Sequence, residues 1–129
     1  MSDDKSLIQI SNGLMQAFSQ GAISINIMPQ DILVLECLVA GTSFRNLKTV
    51  EPELLHKVQL NTVREAKNEF DKFAVALHFK KNKVGYIPKD KNETVARLMD
   101  AGKSFFATIE AKELERNWLK IEIKVYLKD

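Results

Sequence analysis

The sequence predicts an α+β domain that is mainly β: six short strands curled into a barrel, one internal helix and one N-terminal helix. Three observations predict it. Apolar residues alternate with polar ones over several short stretches, most cleanly near the C-terminus. Helical spacing is confined to a few segments, too few to alternate with the strands as a doubly wound sheet requires. The chain has 129 residues, 45% of them hydrophobic and 28% charged. That length suits one domain able to bury roughly two-thirds of the surface its unfolded chain exposes.

The elements follow in order. Leu7, Leu14, Met15 and Phe18 lie near one helical face with Ile8 and Ile10 beside it, and Gly21 ends the pattern. Gly13 inside it costs about 1 kcal/mol relative to Ala. A boundary near Pro29 divides the chain into an N-terminal helical extension, 1–30, and a domain, 31–129. Ile32 to Ala40 is apolar and bounded by Gly41-Thr42-Ser43, which predicts a buried strand. Glu51-Pro52-Glu53 fits a helical start, with Pro where no amide hydrogen bond is lost.

Val58, Leu60 and Thr62 alternate with polar residues, as Phe73, Val75, Leu77 and Phe79 alternate with smaller or polar ones, so both stretches predict strands. Lys81-Asn82 predicts a turn into a short strand, Val84 to Ile87, which Pro88 ends. Asp90 and Glu93 have capping-box spacing, Val95, Leu98 and Met99 share a helical face, and Gly102 supplies the stop. Phe106 to Ile109 predicts another strand. In the last, Leu119, Ile121, Ile123, Val125 and Leu127 fall on one face and four charged residues with Tyr126 on the other.

Several chemistries find no foothold. The single cysteine, Cys37, excludes an internal disulfide and a Cys-based zinc cluster, and its apolar strand predicts an inert thiol. Gly102-Lys103-Ser104 has Arg97 where a phosphate-binding loop needs its first glycine, and it ends a helix instead of opening one. His56 and His78 lie on separate elements with no further ligand in sight. The carboxylate-x-Lys triplet of metal nucleases occurs at Glu110-Ala-Lys112, and equally at Glu65 and Glu122, so it carries little meaning. We expect no enzyme activity, no cofactor and no metal. An acidic start and short apolar runs predict a cytoplasmic protein without membrane partners.

Charge is the remaining signal. The net charge is only +2, but segment 64–103 holds ten Lys/Arg against six Asp/Glu, +4, leaving −2 elsewhere. Phe70 and Tyr86 lie among these cations. Lysines neutralise phosphates and an exposed ring stacks on a base, so the pattern fits single-strand recognition. A lysine-rich hairpin that only keeps the domain soluble fits it too.

Four blocks in order narrow this: Val39-Ala40-Gly41-Thr42-Ser43-Phe44; Arg64-Glu65-Ala66-Lys67-Asn68-Glu69-Phe70-Asp71 with Ala74-Val75; Val84-Gly85-Tyr86-Ile87-Pro88; and Ala96 to Gly102. Together, from about Ile32 to Leu127, they resemble the HIRAN domain in its free-standing bacterial form. The resemblance implies an OB-like barrel that binds single-stranded DNA, especially at a free 3′-hydroxyl, in repair or recombination. It implies that Phe44 and Phe70 stack on bases and that Asp71 accepts the terminal hydroxyl. Tyr86 and Lys89 would lie along the last nucleotides, with Arg64 and Lys91 holding the backbone. Asn68 is expected among the DNA-binding residues, with a turn-shaping role as the alternative for it and for Asp71, and Arg45 would replace a basic residue that the family carries where this chain has Ser43. The alternative is a protein-interaction adaptor docking a partner, such as a repair enzyme, through the N-terminal helix and the barrel edge.

Overall fold

The computed structural model describes residues 31–128. The expected helical extension, 1–30, lies outside the described residues, as do the side chains of Phe44 and Arg45. Six strands form one antiparallel sheet: β1 (Ile32–Leu38), β2 (Gln59–Arg64), β3 (Val75–Phe79), β4 (Asn82–Tyr86), β5 (Ser104–Glu115) and β6 (Trp118–Lys128). Their order across the sheet is β1-β6-β5-β2-β3-β4. A short helix, α1 (Phe44–Leu47), and a 3-10 turn at Glu51–Glu53 follow β1, and α2 (Glu93–Asp100) follows β4. Among the described residues no helix is long and apolar enough to cross a membrane.

The alternation read at the C-terminal end builds the core. Leu119, Ile121, Ile123 and Val125 are all buried, facing Leu60, Leu77 and Ile109 from neighbouring strands. The α2 face contributes Val95 and Ala96 fully and Leu98 and Met99 in part. Its C-terminus is closed as expected: Gly102 at φ +97° lets its amide donate to Met99 O (3.0 Å) and the Lys103 amide to Leu98 O (2.9 Å).

Register irregularities between Leu33 and Leu35, Leu77 and His78, and Ile109 and Ala111 bend the sheet. The sheet curls without closing into a ladder. Its two edges meet at one bridge, where Ala40 and Tyr86 exchange two backbone hydrogen bonds of 2.8 Å each. Gly85 makes this approach possible, because a Cβ there would lie 2.4 Å from Ala40 O and 2.6 Å from a Val39 methyl.

Four local expectations are corrected. The apolar run of β1 is an edge strand: Ile32, Leu33 and Val34 are 52%, 43% and 41% exposed, and only Val39, beyond the strand, is fully buried. A continuous apolar run records no face, and β1 pairs on one side only, with β6. The β3–β4 turn is Lys80–Lys81, one residue earlier than expected, with Lys80 at φ 56° and Phe79 opposite Asn82. The Asp90–Glu93 box does not form: Asn92 is the N-cap residue of α2 and its side chain bonds elsewhere. Strand β5 extends to Glu115, because beyond the sheet body it pairs with β6 alone and needs no buried face.

Gly85→Ala should therefore destabilise by roughly 3 kcal/mol, the upper end of overpacking costs. Gly102→Ala meets nothing within 4 Å and should cost only the backbone strain, about 1 kcal/mol. Urea denaturation of the two variants checks the order; equal losses would contradict a tight approach at Gly85.

Candidate nucleic-acid interface

The β2–β3 loop is shaped by its own short polar side chains. Asn68 Oδ1 accepts the amides of Phe70 (2.8 Å) and Asp71 (3.0 Å), and Asp71 Oδ1 accepts the amide of Phe73 (2.9 Å). This winding turns Phe70 outward, and its ring is 87% exposed. An aromatic so exposed contributes nothing to the core and offers a flat apolar face to solvent. It borders a cleft of about 440 Å³ lined also by Asn68, Glu69, Asp71, Lys72, Phe73 and Lys89. Lys89 Nζ donates to Phe70 O at 3.2 Å, which holds its ammonium at the loop backbone.

Two anchors hold the loop. Asn92, 1% exposed at the start of α2, donates from Nδ2 to Asp71 Oδ2 at 2.7 Å, tying the loop to the helix. Glu65 accepts at Oε1 from Asn68 Nδ2 (3.0 Å) and from the Tyr86 hydroxyl (2.8 Å). Its Oε2 pairs with Lys83 Nζ at 2.7 Å, and Lys83 also donates to Tyr86 Oη at 2.8 Å. Tyr86 is thus held by its backbone to Ala40 and by its hydroxyl to the loop.

The structure gathers Asn68, Phe70, Asp71 and Lys89 in one cleft, with Tyr86 adjoining through Glu65. Arg64 is not placed to hold a DNA backbone as expected. Its side chain is only 15% exposed, and its guanidinium donates to Asp100 (3.0 and 3.2 Å), Lys72 O (2.7 Å) and Ala74 O (3.1 Å), bracing the loop from beneath. Lys91 is exposed at the end of the Pro88–Lys91 turn, outside the residues lining the cleft. Phe44 and Arg45 begin α1 directly after Ser43, but their side chains fall outside the description.

The sequence reading passed over three contributors. Asn92 and Lys83 act across the fold on residues far away in sequence, so no local pattern marks them. Trp118 was legible in principle as the lone tryptophan. It is 42% exposed at the tip of the β5–β6 hairpin, whose Leu119 carbonyl accepts Thr42 Oγ1 at 2.6 Å, next to the start of α1.

The other motifs lead elsewhere. Glu110 pairs with Lys57 (2.8 Å) while Lys112 pairs with Glu51 (2.7 Å), so the nuclease-like triplet is split between separate partners. Burial pushes the Cys37 thiol up to about 11, against a smaller lowering by Lys91.

The Lys83 ammonium above all, helped by Asn68 and Tyr86 and opposed by burial, holds the Glu65 carboxyl at about 2, below its ordinary 4.5. A carboxyl depressed in the folded state stabilises above its unfolded pKa, and the contribution is lost as pH falls through the folded one. Between about pH 5 and 2 the wild type should therefore lose stability more steeply than Glu65→Gln, as read from urea midpoints. Parallel pH profiles would contradict the pairing.

Comparison with known proteins places this geometry. No curated protein matches the sequence. A solved structure of a protein from Lactobacillus plantarum shares the fold with a TM-score of 0.66 at 20% identity, over 75% of this chain and 94% of that one. The HIRAN domain of human HLTF does so with a TM-score of 0.51 at 16% identity, over 80% and 84%. These show a common OB-like fold. The HIRAN domain family model matches residues 32–128, nearly the whole described domain. The chain belongs to the HIRAN domain family, a family of nucleic-acid-binding domains.

Proposed function

We propose that this domain binds single-stranded DNA at its 3′-hydroxyl end, without catalysis, in support of a repair or recombination enzyme. The observation that carries the reading is Phe70, a residue 87% exposed on a braced loop beside a cleft that Lys72 and Lys89 also line. The terminal base stacks on Phe70. Lys89 and Lys72, at the cleft, and Lys67, on the same loop, meet the phosphates. Asp71 accepts the terminal hydroxyl: each of its oxygens already receives one hydrogen bond and keeps a lone pair for another. A phosphate there would face the carboxylate and be repelled.

In this reading Asn68 and Arg64 position the loop, and Tyr86 lies where a strand continuing past its bound end would run. Phe44 and Arg45, from the motif block at the start of α1, add base and backbone contacts in this proposal, and Lys91 adds positive charge. The adaptor reading rests on a different observation, the exposed apolar edge of β1. It predicts partner binding that survives loss of Phe70.

Fluorescence anisotropy with a short labelled oligonucleotide tests the proposal. Phe70→Ala should cost about 1–3 kcal/mol of binding, the value of one stacked base. Salt should weaken wild-type binding with a log–log slope near −2 if about three phosphates are met. A 3′-phosphate should weaken wild type but not Asp71→Ala. Equal affinity of wild type for both ends removes the end-reading role, and no salt-sensitive binding at all removes the DNA reading.

A further inference from the structure

The cation count that first pointed to a polyanion shrinks in the folded protein. Among the described residues, four of the ten Lys/Arg in segment 64–103 are in ion pairs: Arg64 with Asp100, Lys80 with Glu53, Lys83 with Glu65 and Arg97 with Glu93. The Lys83 pair differs in its setting. It sits against Tyr86, with the ammonium 4.9 Å from the ring centroid, on the surface that adjoins the Phe70 cleft. It is also closely engaged on both sides, since the ammonium has two acceptors at 2.7 and 2.8 Å and the carboxylate three donors within 3.0 Å.

We propose that Glu65 is a specificity-determining residue: by holding Lys83 it denies an ammonium to the phosphates of a strand crossing Tyr86, so the site favours strand ends over strand interiors. The inference rests on the single-strand reading above and assigns a selectivity device to that site. A terminus needs only a few contacts at Phe70, Asp71 and Lys89. A continuous strand must also cross the Tyr86 surface, where a free lysine would reward it. Glu65 cancels that reward by engaging the ammonium, and its own charge opposes a phosphate brought close. The carboxylate stays charged at neutral pH, held at about 2 chiefly by the same lysine.

The experiment compares a linear 3′-hydroxyl oligonucleotide with the same sequence circularised, by anisotropy over 50–200 mM salt. Glu65→Gln should steepen the slope for the circle by about 0.7, the increment of one phosphate contact on a single strand, equivalent to about 2.5-fold over that salt range. The preference for the linear strand should fall correspondingly. Glu113→Gln makes the same charge change at an exposed position of β5 outside the cleft and should leave both unchanged. The double variant Glu65→Gln, Lys83→Met removes the pair and should match the wild-type slope.

An unchanged linear-to-circular ratio in Glu65→Gln, or an equal effect of Glu113→Gln, overturns the proposal while leaving single-strand binding intact. A double variant whose slope falls about 0.7 below wild type also overturns it, because Lys83 would then already contact phosphate. That arm serves if Glu65→Gln alone folds poorly. Wild type binding neither probe removes both readings.

Discussion

The closest constraint in the molecule is the meeting of its two sheet edges at Ala40 and Tyr86. Two hydrogen bonds of 2.8 Å make that contact, and it exists only because position 85 has no side chain. From it a line of polar contacts runs to the surface. The Tyr86 hydroxyl reaches Glu65, Glu65 holds Asn68, and Asn68 binds the amides on either side of the Phe70 peptide. Asn92 fixes the far side of the same loop to α2. The exposed ring is therefore set by the curl of the sheet and by the helix that follows it, not by packing of its own.

This arrangement separates the costs of stability from those of binding. The apolar interior, formed mainly by β3, β5 and β6 with the segment that follows β1, supplies the burial. The loop adds little apolar area and is ordered instead by short-range hydrogen bonds, each modest in net energy but together limiting the loop to few conformations. A ring presented this way loses little conformational entropy when a base stacks on it. The electrostatics follow the same economy: charges around the cleft are partly consumed in holding the protein together, leaving a few lysines near Phe70. A small net charge of +2 suits a surface that meets a few phosphates at a strand end.

Much of this was legible in the residues. The period of two in β6 and the helical face closed by Gly102 are strong local signals, and both elements form where the pattern places them. Phe70, Asp71 and Asn68 stand in one motif block and Lys89 directly follows another, and the fold brings them together. What the sequence hid was pairwise and long-range. The exposure of β1 depends on which strands neighbour it, which an apolar run does not encode. Arg64 reads as a cation available to phosphate until Asp100 and two carbonyls are seen to occupy it. Lys83 reads as one of several lysines until Glu65 is found beside it. Asp90 satisfied a capping pattern, yet the helix begins after Asn92, whose side chain is drawn to Asp71.

The central claim is that the loop bearing Phe70 is the surface that meets a single strand. Chemical-shift mapping on the ¹⁵N-labelled protein, titrated with a short single-stranded oligonucleotide ending in a 3′-hydroxyl, tests it most directly. The account predicts that the amides of Phe70, Asp71 and Lys72 shift together with that of Lys89 and the indole of Trp118, while those of β1 stay in place. Shifts centred on Ile32 to Val34, or none at saturating oligonucleotide, would contradict it.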